Sequence, residues 1–134
     1  MKTKPTTFFE QQLEQVAESS PLKAYHYARV RQSRAFMERY YSKRVNLDTI
    51  AAAAFMSRAH YIRIFQQVYG VTPRQHLRSI RIEKAKALLK TGLPATDVCL
   101  EVGYDSLPTF SKVFKDGTGH SPRAYQKANK SNPE

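Results

Sequence analysis

Ala59, Ile62, Arg63 and Gln66 fall at i, i+3, i+4 and i+7, so a helix through them carries all four on one stripe, with Arg58 beside it at the start. An arginine and a methyl-bearing side chain on one outward stripe suit the edge of a base pair. The guanidinium can donate two hydrogen bonds to guanine, worth about 1–3 kcal/mol against the wrong base, and isoleucine can pack on a thymine methyl. Each also has a plainer reading: Arg63 as a phosphate contact or a solvated arginine, Ile62 as an unused surface residue. Arg58, His60, Gln66, Arg74, Lys112, Lys115 and Arg123 suit phosphate oxygens or a charged rim.

The opposite stripe of the same helix is apolar. Tyr61, Ile64, Phe65 and Val68 share the spacing and face a core. Asn46 offers an N-cap to "LDTIAAAAF", Ser57 caps "RAHYIRIFQQVY" and Gly70 ends it, which makes a short helix, a turn and a second helix. The alanines suit close packing of the first helix. Thr72 and Pro73 then open a long helix to about Lys90, stopped by Thr91, Gly92 and Pro94.

The grammar repeats. A shift of 49 residues superposes Ser57 on Ser106, Phe65 on Phe114, Gly70 on Gly119, Pro73 on Pro122 and Arg74 on Arg123. In the second copy a helix "ATDVCLEV" reaches Gly103, Ser106 caps "LPTFSKVFK", and Gly117 with Gly119 ends it. Phe110, Val113 and Phe114 form its core stripe, while Pro108, Ser111, Lys112 and Lys115 form the other. Before both copies, a basic helix is expected from Tyr25 to Tyr41, with Val30, Phe36, Met37, Tyr40 and Tyr41 as its apolar positions. Its run "RVRQSR" reaches a backbone or is solvated. Alternating strand patterns are absent, so the fold class is all-α: two helix-turn-helix subdomains joined by a long linker helix.

Composition points the same way. The 134 residues carry 22 Lys and Arg against 11 Asp and Glu, a net charge of +11. Such a field concentrates polyanions, nucleic acid foremost, with an acidic membrane surface as the rival. No window approaches the roughly 18 to 20 apolar residues of a membrane span, and no signal peptide is evident, so a cytoplasmic, nucleoid-associated location is expected. Cys99 is expected to be a small buried residue. The four histidines lack ligand spacing, and neither a catalytic constellation nor a phosphate loop stands out. No enzyme, no metal and no cofactor is expected.

The stretches "LDTIAAAAFMSRAHYIRIFQQVYGVTP", "HLRSIRIEKAKALL" and "DVCLEVGYDSLPTFSKVFKDGTGHSP" resemble the DNA-binding domain of the AraC/XylS family of bacterial transcription regulators. The resemblance implies a domain at residues 29–127: a first helix-turn-helix at about 47–68, a linker helix at 73–90 and a second helix-turn-helix at about 95–116. It implies base contacts at Ala59, Ile62 and Arg63, and at Leu107, Pro108, Thr109, Ser111 and Lys112 in the second copy. Phe55 stands where many members have glycine; because phenylalanine adopts positive φ only at a cost, the first turn is expected to differ in shape. Leu107 and Pro108 replace polar readers, so base readout is expected to rest mainly on the first subdomain.

Residues 1–28 are expected to be an extension, disordered at 1–7 with a short acidic helix in "FFEQQLEQVAES", and 128–134 a disordered tail. In length the chain resembles the small stand-alone members that regulate multiple antibiotic resistance and the superoxide response. That implies no small-molecule effector domain in this chain and a monomer engaging two major-groove segments of double-stranded DNA, roughly 34 Å apart, at bacterial promoters. RNA polymerase is a further partner to expect. Two alternatives stand beside this: a basic helical protein that binds RNA or coats DNA regardless of sequence, and a module whose basic face meets an acidic protein. Arg81 is expected to make a structural ion pair with Glu83 or Asp97.

Overall fold

The computed structural model describes residues 21–129, which form α1 (Pro21–Tyr40), α2 (Leu47–Ala53), α3 (Arg58–Tyr69), α4 (Pro73–Lys90), α5 (Ala95–Glu101), α6 (Leu107–Thr118) and α7 (Pro122–Asn129), with no strand among the described residues. The all-α expectation holds. The helix expected in "FFEQQLEQVAES" lies outside the described residues, as do 1–7 and 130–134; of the tail expected to be disordered at 128–134, residues 128 and 129 are the last of α7, and of the extension expected at 1–28, residues 21–28 belong to α1.

Local chemistry sets the helix starts. The Asn46 side-chain oxygen accepts from the backbone N–H of Asp48 at 2.9 Å and of Thr49 at 3.2 Å. Ser57 accepts from His60 at 3.1 Å, Ser106 from Thr109 at 3.4 Å and Ser121 from Ala124 at 3.1 Å. At α4 the cap is reciprocal: Thr72 Oγ1 accepts from the Gln75 amide at 3.1 Å, and the Gln75 side chain accepts from the Thr72 amide at 2.9 Å.

The chain divides into two compact units. One holds the described residues up to Arg39 and Val45–His76; the other holds Tyr40–Arg44 and the described residues from Leu77 onward. In the first unit Val30, Met37, Tyr61, Phe65 and Val68 are fully buried, with Tyr27, Leu47, Ala51, Ala54 and Met56 close behind. In the second, Ile82, Ala85 and Leu89 of α4 pack with Val98, Cys99, Val102, Phe110 and Phe114.

The face of α1 differs from expectation. Phe36 and Tyr40 are 45% and 40% exposed, and the buried row is Tyr27, Val30, Ser33 and Met37. A serine occupies the place of an apolar residue because it has work there: Ser33 Oγ donates to Val30 O at 2.6 Å and accepts from the Tyr61 hydroxyl at 2.7 Å. This bond anchors α3 to α1. Burial pushes the Tyr61 pKa up to about 12, so the phenol stays protonated as a donor.

The first turn also departs from expectation. Phe55 does adopt the left-handed conformation, at φ 58, and the turn matches its copy in hydrogen bonding. Met56 N–H reaches back to Ala51 O at 2.9 Å, as Tyr104 N–H does to Cys99 O at 2.9 Å. Phe55 is tolerated because its side chain points to solvent and its strain is local. The second turn is one residue longer, with Gly103 at φ 104 in the left-handed place, so α2 and α5 correspond at a shift of 48, not 49.

Arg81 pairs with neither Glu83 nor Asp97. Its guanidinium donates to Tyr41 O at 2.8 Å and Lys43 O at 3.0 Å and stands 5.1 Å from the Tyr104 ring centre. Glu83 instead takes Lys86 at 3.1 Å. The two carbonyls follow α1 and lack helical donors, which suits a forked cation better than a surface carboxylate does. Gly117 lies inside α6, which Gly119 ends at φ 86. A Cβ at Gly117 would come 2.6 Å from Ile82 Cδ1, so close approach to α4 explains that glycine.

Candidate nucleic-acid interface

Three fully buried residues, Tyr61, Phe65 and Val68, fix one side of α3 against its core. The other side follows from helical geometry. Arg58, Ala59, Arg63 and Gln66 are exposed and Ile62 and His60 are half-buried, so the stripe expected to read DNA is continuous on the surface. Arg58 lies 3.7 Å from Asp48 across a well-solvated gap, an ion pair worth little in water and easily exchanged for a phosphate.

His60 stands in a different state from the arginines. Its ring meets His26 edge-on at 5.4 Å between centroids. Desolvation, then the charges of Arg63 and His26, hold its pKa below the usual histidine value. At neutral pH it is an uncharged ring, able to hydrogen-bond a phosphate but not to neutralise one. Sequence reasoning grouped it with the cations because the ring of His26, 34 positions away, left no local signal.

In the second unit Phe110 and Phe114 fix α6 in the same way. Leu107, Pro108, Thr109, Lys112 and Lys115 are exposed and Ser111 is half-buried. Lys112 is 79% exposed and reaches Asp116 at 3.3 Å, again an exchangeable pair. Arg74 and Arg123 are both exposed in the first turns of α4 and α7, the equivalent places of the two units. Structure thus brings Arg58, Ala59, Ile62, Arg63 and Gln66 together on α3, and Leu107, Thr109, Ser111, Lys112 and Lys115 together on α6.

The charge around the two stripes differs. Between Lys90 and Lys112 there is no lysine or arginine, while Asp97, Glu101 and Asp105 are exposed on α5 and its turn. In the first unit the stretch 45–62 carries Arg58 against Asp48 alone, and Arg63 follows it. The arginines of α1 vary too. Arg34 is held by Glu38 at 3.3 Å and over the Tyr69 ring at 4.5 Å, while Arg29 bonds the Tyr25 hydroxyl at 3.1 Å and stays exposed.

Cys99 is buried, with a thiol that burial and Asp105 push up, so it is the inert core residue expected. No group of three or more candidate metal ligands occurs among the described residues. No described helix is long and apolar enough to cross a membrane.

Comparison with known proteins agrees with this geometry. A family model described as a helix-turn-helix domain matches residues 50–128. An uncharacterised helix-turn-helix transcriptional regulator of Haemophilus influenzae is 42% identical over 84 residues, covering 62% of this chain and 28% of the relative. The regulator MtrA of Neisseria gonorrhoeae is 40% identical over 83 residues, 61% of this chain and 28% of its own. The chain therefore spans less than a third of the length of these relatives. Among solved structures, the C-terminal domain of AraT, a response regulator from Geobacillus stearothermophilus, superposes with a TM-score of 0.73 at 31% identity, covering 78% of this chain and 88% of that one. The DNA-binding domain of AdpA, in complex with a target DNA, superposes with a TM-score of 0.69 at 29% identity over 74% of this chain and 90% of that one. Two copies of a capped helix-turn-helix around a shared linker helix, matched by model, sequence and structure alike, place the chain in the AraC/XylS-type helix-turn-helix family of transcription regulators.

Proposed function

We propose that this chain is a sequence-specific regulator of transcription that binds double-stranded DNA as a monomer, laying α3 and α6 into two successive major-groove segments and contacting or occluding RNA polymerase. The observation that carries the reading is the outward stripe of α3: Arg63 and Ile62, with Ala59 giving close access, on a helix fixed from behind by Tyr61 and Phe65. Ala59, Ile62 and Arg63 are assigned to base edges; of the corresponding residues of α6, Leu107, Thr109 and Ser111 face the bases and Lys112 takes a phosphate. Arg58, Gln66, Arg74, Lys115 and Arg123 take phosphates, and His60 supplies a neutral hydrogen bond. The basic surroundings of α3 and the acidic ones of α5 support giving the first subdomain the larger share of readout. The cytoplasm, at the nucleoid, is where such a protein works.

The test is a salt titration with a selected site and its scrambled counterpart, the site obtained by enriching bound fragments from a genomic pool. A regulator keeps a large affinity ratio at physiological salt. A ratio near one would mean a protein that coats nucleic acid without reading it.

A further inference from the structure

Phe55 is 81% exposed. A lone exposed phenylalanine needs no account, but this one is not alone and sits where a side chain strains the backbone. Its ring lies 6.0 Å from that of Tyr25, at 32° between planes. The Tyr25 hydroxyl reaches Ala53 O at 3.4 Å, and Arg29 stands 5.3 Å over the Tyr25 ring. Arg58 follows three residues after Phe55 and is exposed. The first unit thus shows an aromatic pair with Arg29 over one of its rings, while Arg58, three residues beyond Phe55, opens the reading helix with an exchangeable partner in Asp48 at 3.7 Å.

The chain itself contains a segment of matching chemistry. Residues 8–19 carry Phe8, Phe9, Leu13 and Val16 with Glu10, Glu14 and Glu18, and no lysine or arginine. At helical period Phe9, Leu13 and Val16 share a stripe, with Glu10 and Glu14 on the next row. Only Ser20 separates this segment from Pro21, where α1 begins one turn before Tyr25. A tether this short holds the segment at an effective concentration of about a millimolar or more, so even a weak contact is populated.

We propose that residues 8–19 dock in cis on the Tyr25–Phe55 face, apolar side chains on the two rings and glutamates on Arg29 and Arg58. Arg58 cannot hold a glutamate and a phosphate at once. The docked segment therefore competes with DNA for the first reading helix, and each weakens the other by the same factor. That competition rests on the DNA-binding reading; the docking does not.

The protein has no tryptophan, so Phe9→Trp in the full chain gives one emitter on the segment. Docking predicts blue-shifted emission that moves to the red with Phe55→Ser, and also with Glu10→Gln, Glu14→Gln and Glu18→Gln combined. Phe55 is a surface residue, so Phe55→Ser leaves the fold intact, as far-ultraviolet circular dichroism will verify. Emission of a water-exposed indole in the parent, or a blue shift indifferent to Phe55→Ser, overturns the proposal. A blue shift lost on dilution puts the segment on a second copy and overturns the cis assignment. Phe55→Ser changes no charge, yet should tighten DNA binding roughly two- to fivefold at low salt, with the gain fading at high salt. Unchanged affinity overturns the competition. If no variant binds DNA while the emission responds as stated, the docking stands and the DNA reading falls.

Discussion

Arg63 is exposed on a helix whose opposite side is closed by Tyr61, Phe65 and Val68, so its place on the outward face is set by the core behind it. Arg63→Ala is expected to cost about 1–3 kcal/mol on the selected site and to relax preference at one base position. Base-by-base competition measures this; uniform weakening would move Arg63 to the phosphates. Phe55 gives a second residue-scale expectation, in stability. At φ 58 any Cβ is strained, so Phe55→Gly should be more stable than Phe55→Ala by about 1 kcal/mol, both having lost the same ring contact with Tyr25. Urea midpoints compare them, and the reverse order would mean the turn is not left-handed in solution.

Gly70 and Gly103 show that two elements can end alike and be held differently. Both have positive φ, but a Cβ at Gly70 meets nothing within 4 Å, whereas one at Gly103 would lie 2.9 Å from Tyr41 O and 3.1 Å from the Arg81 guanidinium. Gly70→Ala should cost about 1 kcal/mol of backbone strain, and Gly103→Ala about 2–4 kcal/mol, since it also displaces Arg81 from its carbonyls. Chemical denaturation tells them apart. The same pair marks how far the sequence is legible. Caps, left-handed glycines and the stripes of α3 and α6 are local, within four residues, and all are visible in the one-dimensional pattern. The Arg81 carbonyls lie about 40 positions away and the Ser33–Tyr61 bond spans 28, and no periodicity announces either. His76 belongs to this class too. Desolvation, then Arg34, lowers its pKa despite Glu38, whose oxygen at 3.5 Å is too far for a good hydrogen bond. His60 is lowered as well. Unfolding lets both rings bind protons more readily, so their contribution to stability is intact above about pH 6.5 and is lost as pH falls through that value toward the lower folded pKa. The first unit should therefore melt earlier at pH 5 than at pH 7.5, and His76→Gln should shrink the difference. An unchanged pH profile in that variant would refute the assignment.

At the scale of the molecule, the net charge of +11 is spread unevenly, and the unevenness bears on how two similar subdomains divide one task. Phosphate contacts release counterions, so each one lost lowers the slope of log K against log salt by about 1. Lys112 and Lys115 are the basic residues of the α6 stripe, since no lysine or arginine stands between Lys90 and Lys112 and three acidic residues do. In the first unit, by contrast, α3 and the first turn of α4 carry Arg58, Arg63 and Arg74 and no acidic residue. If α6 mainly anchors while α3 reads, replacing Lys112 and Lys115 with glutamine should reduce the salt slope by up to about 2 and leave the preferred sequence unchanged. Replacing Arg58 and Arg63 should reduce the slope by about 1, for the phosphate contact of Arg58, and also erode the preference. Selection of bound fragments with each double variant measures both quantities in one experiment. A changed preferred sequence in the lysine variant would mean that α6 reads bases as α3 does, and that the acidic surface of α5 is no obstacle to its seating in the groove.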